Sequence, residues 1–287
     1  MIKIENKYNS GLQPESKLIC KDYLVSGESF EISEFEKGIF KTEPVPENLS
    51  RYYESEDYIS HSDSKKNFRE KIYQLVKSYM LSKKAGWIQN FKRQGKILDY
   101  GAGTGDFLNK MKSLDWKVEG IEPNNDARKL AVLKGLNLKP DLSDLGSDQY
   151  DVISLWHVLE HIPDFEKKLV RFHKLLKEDG LLIIAVPNYN SYDAHHYNKN
   201  WAAWDVPRHL WHFSRTGLES KLVEYGFNLV KEKPLKFDSY YVSLLSENSD
   251  SKISNLLNAF YRGFISNIKA KQSGEYSSIA YFFRKGA

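Results

Sequence analysis

The segment Asp99-Tyr100-Gly101-Ala102-Gly103-Thr104-Gly105-Asp106 is the part of the chain best suited to hold a ligand. Glycines let a small molecule approach backbone N–H groups where a strand turns into a helix. A dinucleotide loop reads G-x-G-x-x-G and sets a pyrophosphate on the helix N-terminus. Here the glycines run G-x-G-x-G, and Asp106 stands where the third glycine of that pattern would fall. A carboxylate there repels phosphate. Together, Asp99 and Asp106 suit a cationic ligand without phosphate groups. Glu122 follows the loop by about twenty residues, the distance at which an acid reaches both hydroxyls of a ribose. A ribose is common to several cofactors, so Glu122 by itself does not choose among them.

Two histidine-bearing stretches come next. In Trp156-His157-Val158-Leu159-Glu160-His161 the histidines are four apart and share a face if the stretch is helical. Two imidazoles and a carboxylate are a donor set for a divalent metal, with Glu160 and His161 its core. The plainer reading has these residues capping and packing the turn, and no metal is expected. The second stretch, Trp201 to Ser214, combines tryptophans with Arg208, His209 and His212. Aromatic walls with a few polar groups suit an organic acceptor. His209 has the pKa range of a general base, and Arg208 could hold an anion. The alternative is a packed loop with the tryptophans in the core.

These residues need a frame. Lys96-Ile97-Leu98 is an apolar strand running into the glycine loop, and Phe107, Leu108 and Met111 mark the helix after it. A strand ends at Glu122, and a helix follows from Asn124 to Lys134, closed by Gly135. Leu138–Leu142 reads as a weak third strand and Tyr150–Leu155 as a fourth. Asp164–Lys177 reads as an amphipathic helix, and the continuous run Leu181–Val186 as a strand buried on both faces. This alternation predicts a doubly wound, seven-stranded, mostly parallel α/β sheet. Ahead of it, Ser64–Phe91 has a helical face formed by Phe68, Ile72, Leu75, Val76, Tyr79 and Met80. Residues 187–213 read as a long loop. Strands are expected over 227–233 and 277–284, with a helical insertion at 239–272 between them.

The motif Ile97-Leu98-Asp99-Tyr100-Gly101-Ala102-Gly103-Thr104-Gly105 resembles motif I of class I S-adenosylmethionine-dependent methyltransferases. The resemblance continues through Glu122, Tyr150-Asp151-Val152-Ile153-Ser154, Leu159-Glu160-His161-Ile162-Pro163-Asp164 and Val186-Pro187-Asn188. It covers roughly residues 60–235 and is strongest to the ubiquinone-type small-molecule branch. It implies S-adenosylmethionine as cofactor. Asp99 and Gly101 to Gly105, with Ala102 and Thr104 between the glycines, would lie at its methionine end. Glu122 and Pro123 would lie at the ribose, Asp141 and Leu142 beside adenine, and Trp156 and His157 beside the reacting sulfur. Tyr58, in a tyrosine-rich stretch that could close as a lid, would approach the methionine end. His157 and His209 are the candidate catalytic residues. In some quinone-pathway relatives an acid at the place of His157 joins a Glu-His pair to bind a metal, and this chain departs from that pattern. Many relatives also carry a C-x-x-C-G zinc ribbon ahead of the domain. Here Phe35 and Gly38 replace the cysteines, so residues 1–62 read as a degenerate ribbon-like extension and 63–287 as the methyltransferase domain.

Composition narrows the partners. The chain has 287 residues, 41% hydrophobic and 28% charged, with a net charge of +4. Such a chain can bury a core, and its charges are interspersed without the basic stripe that phosphate tracking needs. Nucleic acid is not an expected partner. Cys20 is the single cysteine, which excludes an internal disulfide and a four-thiolate zinc site. The polar N-terminus and the lack of a long apolar run predict a cytoplasmic protein without a membrane span. The expected activity is methyl transfer to a small organic, lipid-like or sugar acceptor. The rival readings are a non-catalytic S-adenosylmethionine-binding scaffold and a nucleotide-dependent oxidoreductase.

Overall fold

The computed structural model describes residues 17–53, 68–146, 149–247 and 252–286. Its frame is a six-stranded sheet in the order β5-β4-β6-β7-β10-β9. The strands are β4 (Lys96–Tyr100), β5 (Lys117–Ile121), β6 (Tyr150–Trp156), β7 (Leu176–Pro187), β9 (Phe227–Pro234) and β10 (Ser278–Lys285). β5, β4, β6 and β7 run parallel, and β10 is antiparallel to both of its neighbours. The chain leaves β4 for β5 on one side and returns to β6 on the other. The crevice between β4 and β6 is therefore the topological switch point, where open α/β sheets bind ligands.

The run Leu181–Val186 shows why this sheet has two cores. Leu182, Ile184 and Val186 face one side, with Phe165, Leu169 and Phe172 of α4 (Phe165–Leu175) and Leu218 and Leu222 of α6 (Arg215–Glu224). Leu181, Ile183 and Ala185 face the other, with Ala85 and Ile88 of α1 (Phe68–Gln89) and Phe107, Leu108 and Met111 of α2 (Asp106–Lys112). Alternation along a strand sends neighbours to opposite faces, so a strand sandwiched by helices must be apolar throughout. Among the described side chains of α1, the inward face is carried by Met80, Leu81, Ala85 and Ile88; Phe68 and Ile72 of the expected face lie outside them. Leu75 and Tyr79 of the expected apolar face are instead 71% and 49% exposed.

Two helices open on side-chain caps, whereas Asp164 precedes α4 without a capping hydrogen bond. The Asn124 side chain accepts from the N–H groups of Asp126 and Ala127 at the start of α3 (Asn125–Val132), and Ser214 accepts from Gly217 at the start of α6. The expected third strand contributes one parallel bridge, Ile121–Lys139. It stops there because Asp141 opens a 3-10 turn, accepting from Ser143 while Asp144 caps back onto Asp141.

A second sheet, β1-β2-β3-β8, is antiparallel. It consists of β1 (Leu18–Lys21), β2 (Ser29–Glu36), β3 (Ile39–Glu43) and β8 (Trp211–Phe213). Phe35 packs edge-on against Trp211, ring centroids 5.0 Å apart, and Gly38 takes a left-handed turn against Gly217. The stretch expected as a loop, 187–213, contains a short helix, α5 (Tyr192–Tyr197), two 3-10 turns and β8. Between β9 and β10 lie α7 (Asp238–Ser246) and α8 (Lys252–Ser273). Among the described residues no helix is long and apolar enough to cross a membrane.

Candidate functional site

The glycine loop leaves β4 at the switch point. Gly101 and Ala102 donate to the Ile121 carbonyl, tying the turn to the end of β5. All three glycines have positive φ (76°, 54° and 79°), a conformation that L side chains rarely adopt. A β-carbon at Gly101 would overlap the methyls of Val158, and one at Gly105 would overlap Leu136. At Gly103 it would meet nothing within 4 Å. Gly103 is thus the open side of the loop. Glu122 spans that opening: one oxygen accepts from Gly103 N and the other from Asn124 N, both at 2.8 Å. A carboxylate oxygen has two lone pairs, so each keeps one for a ligand hydroxyl.

Beneath the loop, Asp99 is 3% exposed and accepts from the Ser154 hydroxyl at 2.6 Å. Burial pushes its carboxyl up to about 7, against the downward pull of Ser154 and Lys84. Asp106 is not available to a ligand as expected. Lys77 and Lys134 hold its two oxygens at 2.7 and 2.8 Å. Leu142 lies in the core, 4% exposed, so of the pair expected beside adenine only Asp141 reaches the surface. Pro123 is exposed beside Glu122. Tyr58 lies outside the described residues.

Trp156 ends β6 with its ring edge-on to Phe107, and the Lys84 ammonium lies 4.3 Å from its centroid. Burial holds the Lys84 pKa below the usual lysine range, although Asp238 and Asp99 oppose it. His157 then breaks the strand with φ 58°. Its Nε2 is 3.0 Å from Asp238 of α7, and its Nδ1 is 3.5 Å from Glu160. Against the pull of burial, these two carboxylates raise its pKa to about 9. His157, a candidate catalytic residue, therefore stands at the end of β6 as an imidazolium at neutral pH.

Glu160 is 1% exposed, and neither oxygen accepts a hydrogen bond. Beside it, His161 uses Nδ1 to donate to the Arg208 carbonyl at 2.9 Å, with the Tyr53 hydroxyl 3.1 Å away. His209 uses Nδ1 to donate to the Ala203 carbonyl at 2.8 Å. A carbonyl only accepts, so each ring carries a proton on Nδ1 and turns its Nε2 toward the rest of the group; the Nε2 of His209 lies 3.9 Å from the Asp205 carboxylate. Burial, and then the neighbouring His209, lower His161 to about 4 and keep it neutral. The ligand atoms of Glu160, His161 and His209 lie within 4.8 Å of one another. They could receive a proton, bind a hydroxyl or hold a divalent cation. The second imidazole of this group is His209, not His157.

The rest of the aromatic stretch is core. Trp201, Trp204 and Tyr189 pack with Phe30, Ile32 and Phe40 of the second sheet. The cleft among Tyr189, Trp201, His209, Trp211 and His212 has a volume of about 10 Å³, room for a single water and far below the roughly 300 Å³ at which ligand pockets begin. Arg208 is 1% exposed and already bound, by Asp22 at 3.1 Å and Asp205 at 2.7 Å. Among the described residues, the tryptophans of this stretch serve the core and its arginine is already paired with carboxylates.

Residues 68–232, more than half of the chain, match the model of the Methyltransferase domain family. The chain belongs to that family. A ubiquinone biosynthesis O-methyltransferase from Glaesserella parasuis is 33% identical over 107 residues, which cover 32% of this chain and 45% of that protein. The chain spans about half the length of the curated relatives it matches. Among solved structures, the magnesium protoporphyrin IX methyltransferase from Synechocystis PCC 6803 with bound SAH aligns with a TM-score of 0.56. The identity is 13%, over 84% of this chain and all of that one. The 1,6-didemethyltoxoflavin-N1-methyltransferase from Burkholderia thailandensis aligns with a TM-score of 0.53 at 15% identity, over 93% of this chain and all of that one. The fold is that of the class I methyltransferases.

Three participants around this methyltransferase site carry only a weak signal in the sequence. Lys84 lies among the inward positions Met80, Leu81, Ala85 and Ile88 of α1, and a lysine in an apolar stripe is such a signal. Asp238 comes from the insertion, far along the chain. Tyr53 stands at the edge of the tyrosine-rich stretch.

Proposed function

We infer that this protein transfers a methyl group from S-adenosylmethionine to a small organic, lipid-like or sugar acceptor. The observation that carries this reading is the open face of Gly103 with Glu122 bridging it. That cradle has no room for side chains on either flank and offers carboxylate lone pairs in place of phosphate-binding groups. Residues Gly101 to Gly105 would hold the methionine end, Glu122 the ribose and Asp141 the adenine side. Asp99 would face the positive amine. Bound there, S-adenosylmethionine supplies a methyl group on a sulfonium that is already activated.

The protein then has to orient and exclude water. Proximity of this kind contributes about 7–11 kcal/mol in well-oriented systems. Trp156 forms the wall at the end of β6. An acceptor hydroxyl or amine must lose a proton, and the Nε2 of His209 receives it, with neutral His161 and Glu160 beside it. We assign no metal to this group, since proton removal is all the reaction asks of it. The free buried thiol of Cys20 fits a reducing, cytoplasmic setting. The scattered charge does not favour nucleic acid as the acceptor.

Thermal unfolding with S-adenosylhomocysteine, and with NAD as control, tests the cofactor. A ligand at a hundred times its Kd adds about 2.7 kcal/mol, or a Tm rise of about 5–10 °C for a chain of this size. The rise is expected with S-adenosylhomocysteine only. A rise with NAD, or none with either at millimolar ligand, would overturn the reading.

A further inference from the structure

Helix α8 is amphipathic in an inverted sense. Its small residues Ala259, Gly263, Ser266 and Ala270 face the protein and are buried. Their orientation is fixed: Gly263 backs directly onto Tyr240 of α7, and the Ser266 hydroxyl donates to buried Asp193 at 2.7 Å. The large residues point away. Leu256, Leu257, Phe260, Tyr261, Phe264 and Ile268 form one outward stripe, each between 43% and 67% exposed. Leu244 and Leu245 of α7 add to the same insertion's apolar surface, at 41% and 49% exposed. Apolar patches of this kind mark an interaction surface, because water is a poor neighbour for them.

The charges say what covers it. Between its ends α8 carries Lys252, Arg262, Lys269 and Lys271 and not one acid. Lys271 stands at the C-terminal end of the stripe. Arg262 and Lys269 lie along the flank, near the ring of Tyr192. Two copies of this face meeting about a two-fold axis would set like charges against each other. An anionic lipid surface meets both demands. Leucine and phenylalanine enter the headgroup–acyl boundary while the cations meet phosphate. Each lysine or arginine brought to such a surface adds about fivefold to partitioning.

We propose that α8 docks this protein on an anionic bilayer, lying in the plane of the interface with its Leu257–Phe260–Phe264 face inserted. α7, which precedes it, supplies the Asp238 that holds His157, so the docked helix sits next to the mouth of the glycine-loop crevice. This inference stands apart from the identity of the acceptor.

The test is co-sedimentation of the full chain with vesicles of phosphatidylcholine and phosphatidylglycerol in equal parts, and with phosphatidylcholine alone. A variant carrying Leu257→Asp, Phe260→Asp and Phe264→Asp is run beside the wild type. These side chains point outward, so the variant is expected to keep the wild-type unfolding temperature and circular dichroism. Binding is expected only to the anionic vesicles, weakened by salt, and reduced about tenfold or more in the variant. The proposal falls if the wild type ignores both vesicles or if the variant binds as well as the wild type. It also falls if light scattering shows a wild-type dimer that the variant dissolves, because the face then serves a second copy.

Discussion

The glycine loop and the histidine group lie at the ends of neighbouring strands, and they are held by opposite means. The loop is built almost wholly from backbone. Its shape comes from three left-handed glycines and two N–H bonds to the Ile121 carbonyl, all within about twenty-five residues of each other. The histidine group is built from side chains that the chain brings together from afar. Tyr53 meets His161, His161 meets the Arg208 carbonyl, and Asp238 meets His157. The first region depends on what a glycine permits. The second depends on a packed aromatic core and a buried ion pair behind it. A change that damages one should leave the other intact, and four substitutions put this contrast to work.

The largest effect is expected from Arg208→Ala. The guanidinium is buried between Asp22 and Asp205 and also donates to the Tyr52 carbonyl. Removing it strands two carboxylates, a change that costs about 3–5 kcal/mol for buried pairs. The expected result is a fall in unfolding temperature on the order of 10 °C, with S-adenosylhomocysteine still bound by the folded fraction. Calorimetry with and without that ligand checks it. If stability holds and only the acceptor KM rises, Arg208 is a binding residue and the contrast between the regions dissolves.

His209→Ala sharpens the contrast within the second region. The side chain is nearly buried, and its Nε2 lies 3.9 Å from Asp205, beyond hydrogen-bond reach. Loss of a general base lowers the chemical step by about 10²–10³-fold. Affinity for S-adenosylhomocysteine, which belongs to the loop, should not change. Single-turnover transfer of labelled methyl to a hydroxyl or amine acceptor measures this. An unchanged rate would leave His209 as a packing residue and move proton removal elsewhere.

The same contrast explains what could be read in advance. The α/β frame, the glycine loop and the start of the helix at Asn124 are legible because their physics is local. A strand, a positive φ or a cap depends on a few adjacent residues. The role of Trp201, Trp204 and Arg208 was not legible. An aromatic wall around a ligand and an aromatic core have the same composition, and only the pairing of β3 with β8 decides that the second sheet covers them. Asp106 misled for a related reason. Its position suited a cationic ligand, but Lys77 and Lys134, from two other helices or turns, reach it first. The expected third strand shrinks to one bridge because the reciprocal cap of Asp141 and Asp144 competes with strand pairing. His157 was placed correctly in sequence at the end of β6, but its protonation is set by Asp238, roughly eighty residues away.

The smallest effect tests that last link. His157 is raised to about 9 in the folded chain from the ordinary 6.5. A raised histidine contributes stability that is fully present below 6.5 and is lost as pH climbs through 9. Its side chain is about a third exposed, so solvent screening holds the contribution to under about 1 kcal/mol. Asp238→Asn should therefore lower stability slightly at pH 6 and leave it unchanged near pH 10, a difference that urea unfolding at both pH values resolves. His157→Asn separates charge from backbone, because asparagine tolerates the left-handed φ of 58°. It should lose the pH dependence without a large fall in stability. A difference between Asp238→Asn and wild type that persists at pH 10 would mean that Asp238 stabilises the insertion by packing. The histidine would then be a neutral neighbour, and the link from the insertion to the crevice would be steric.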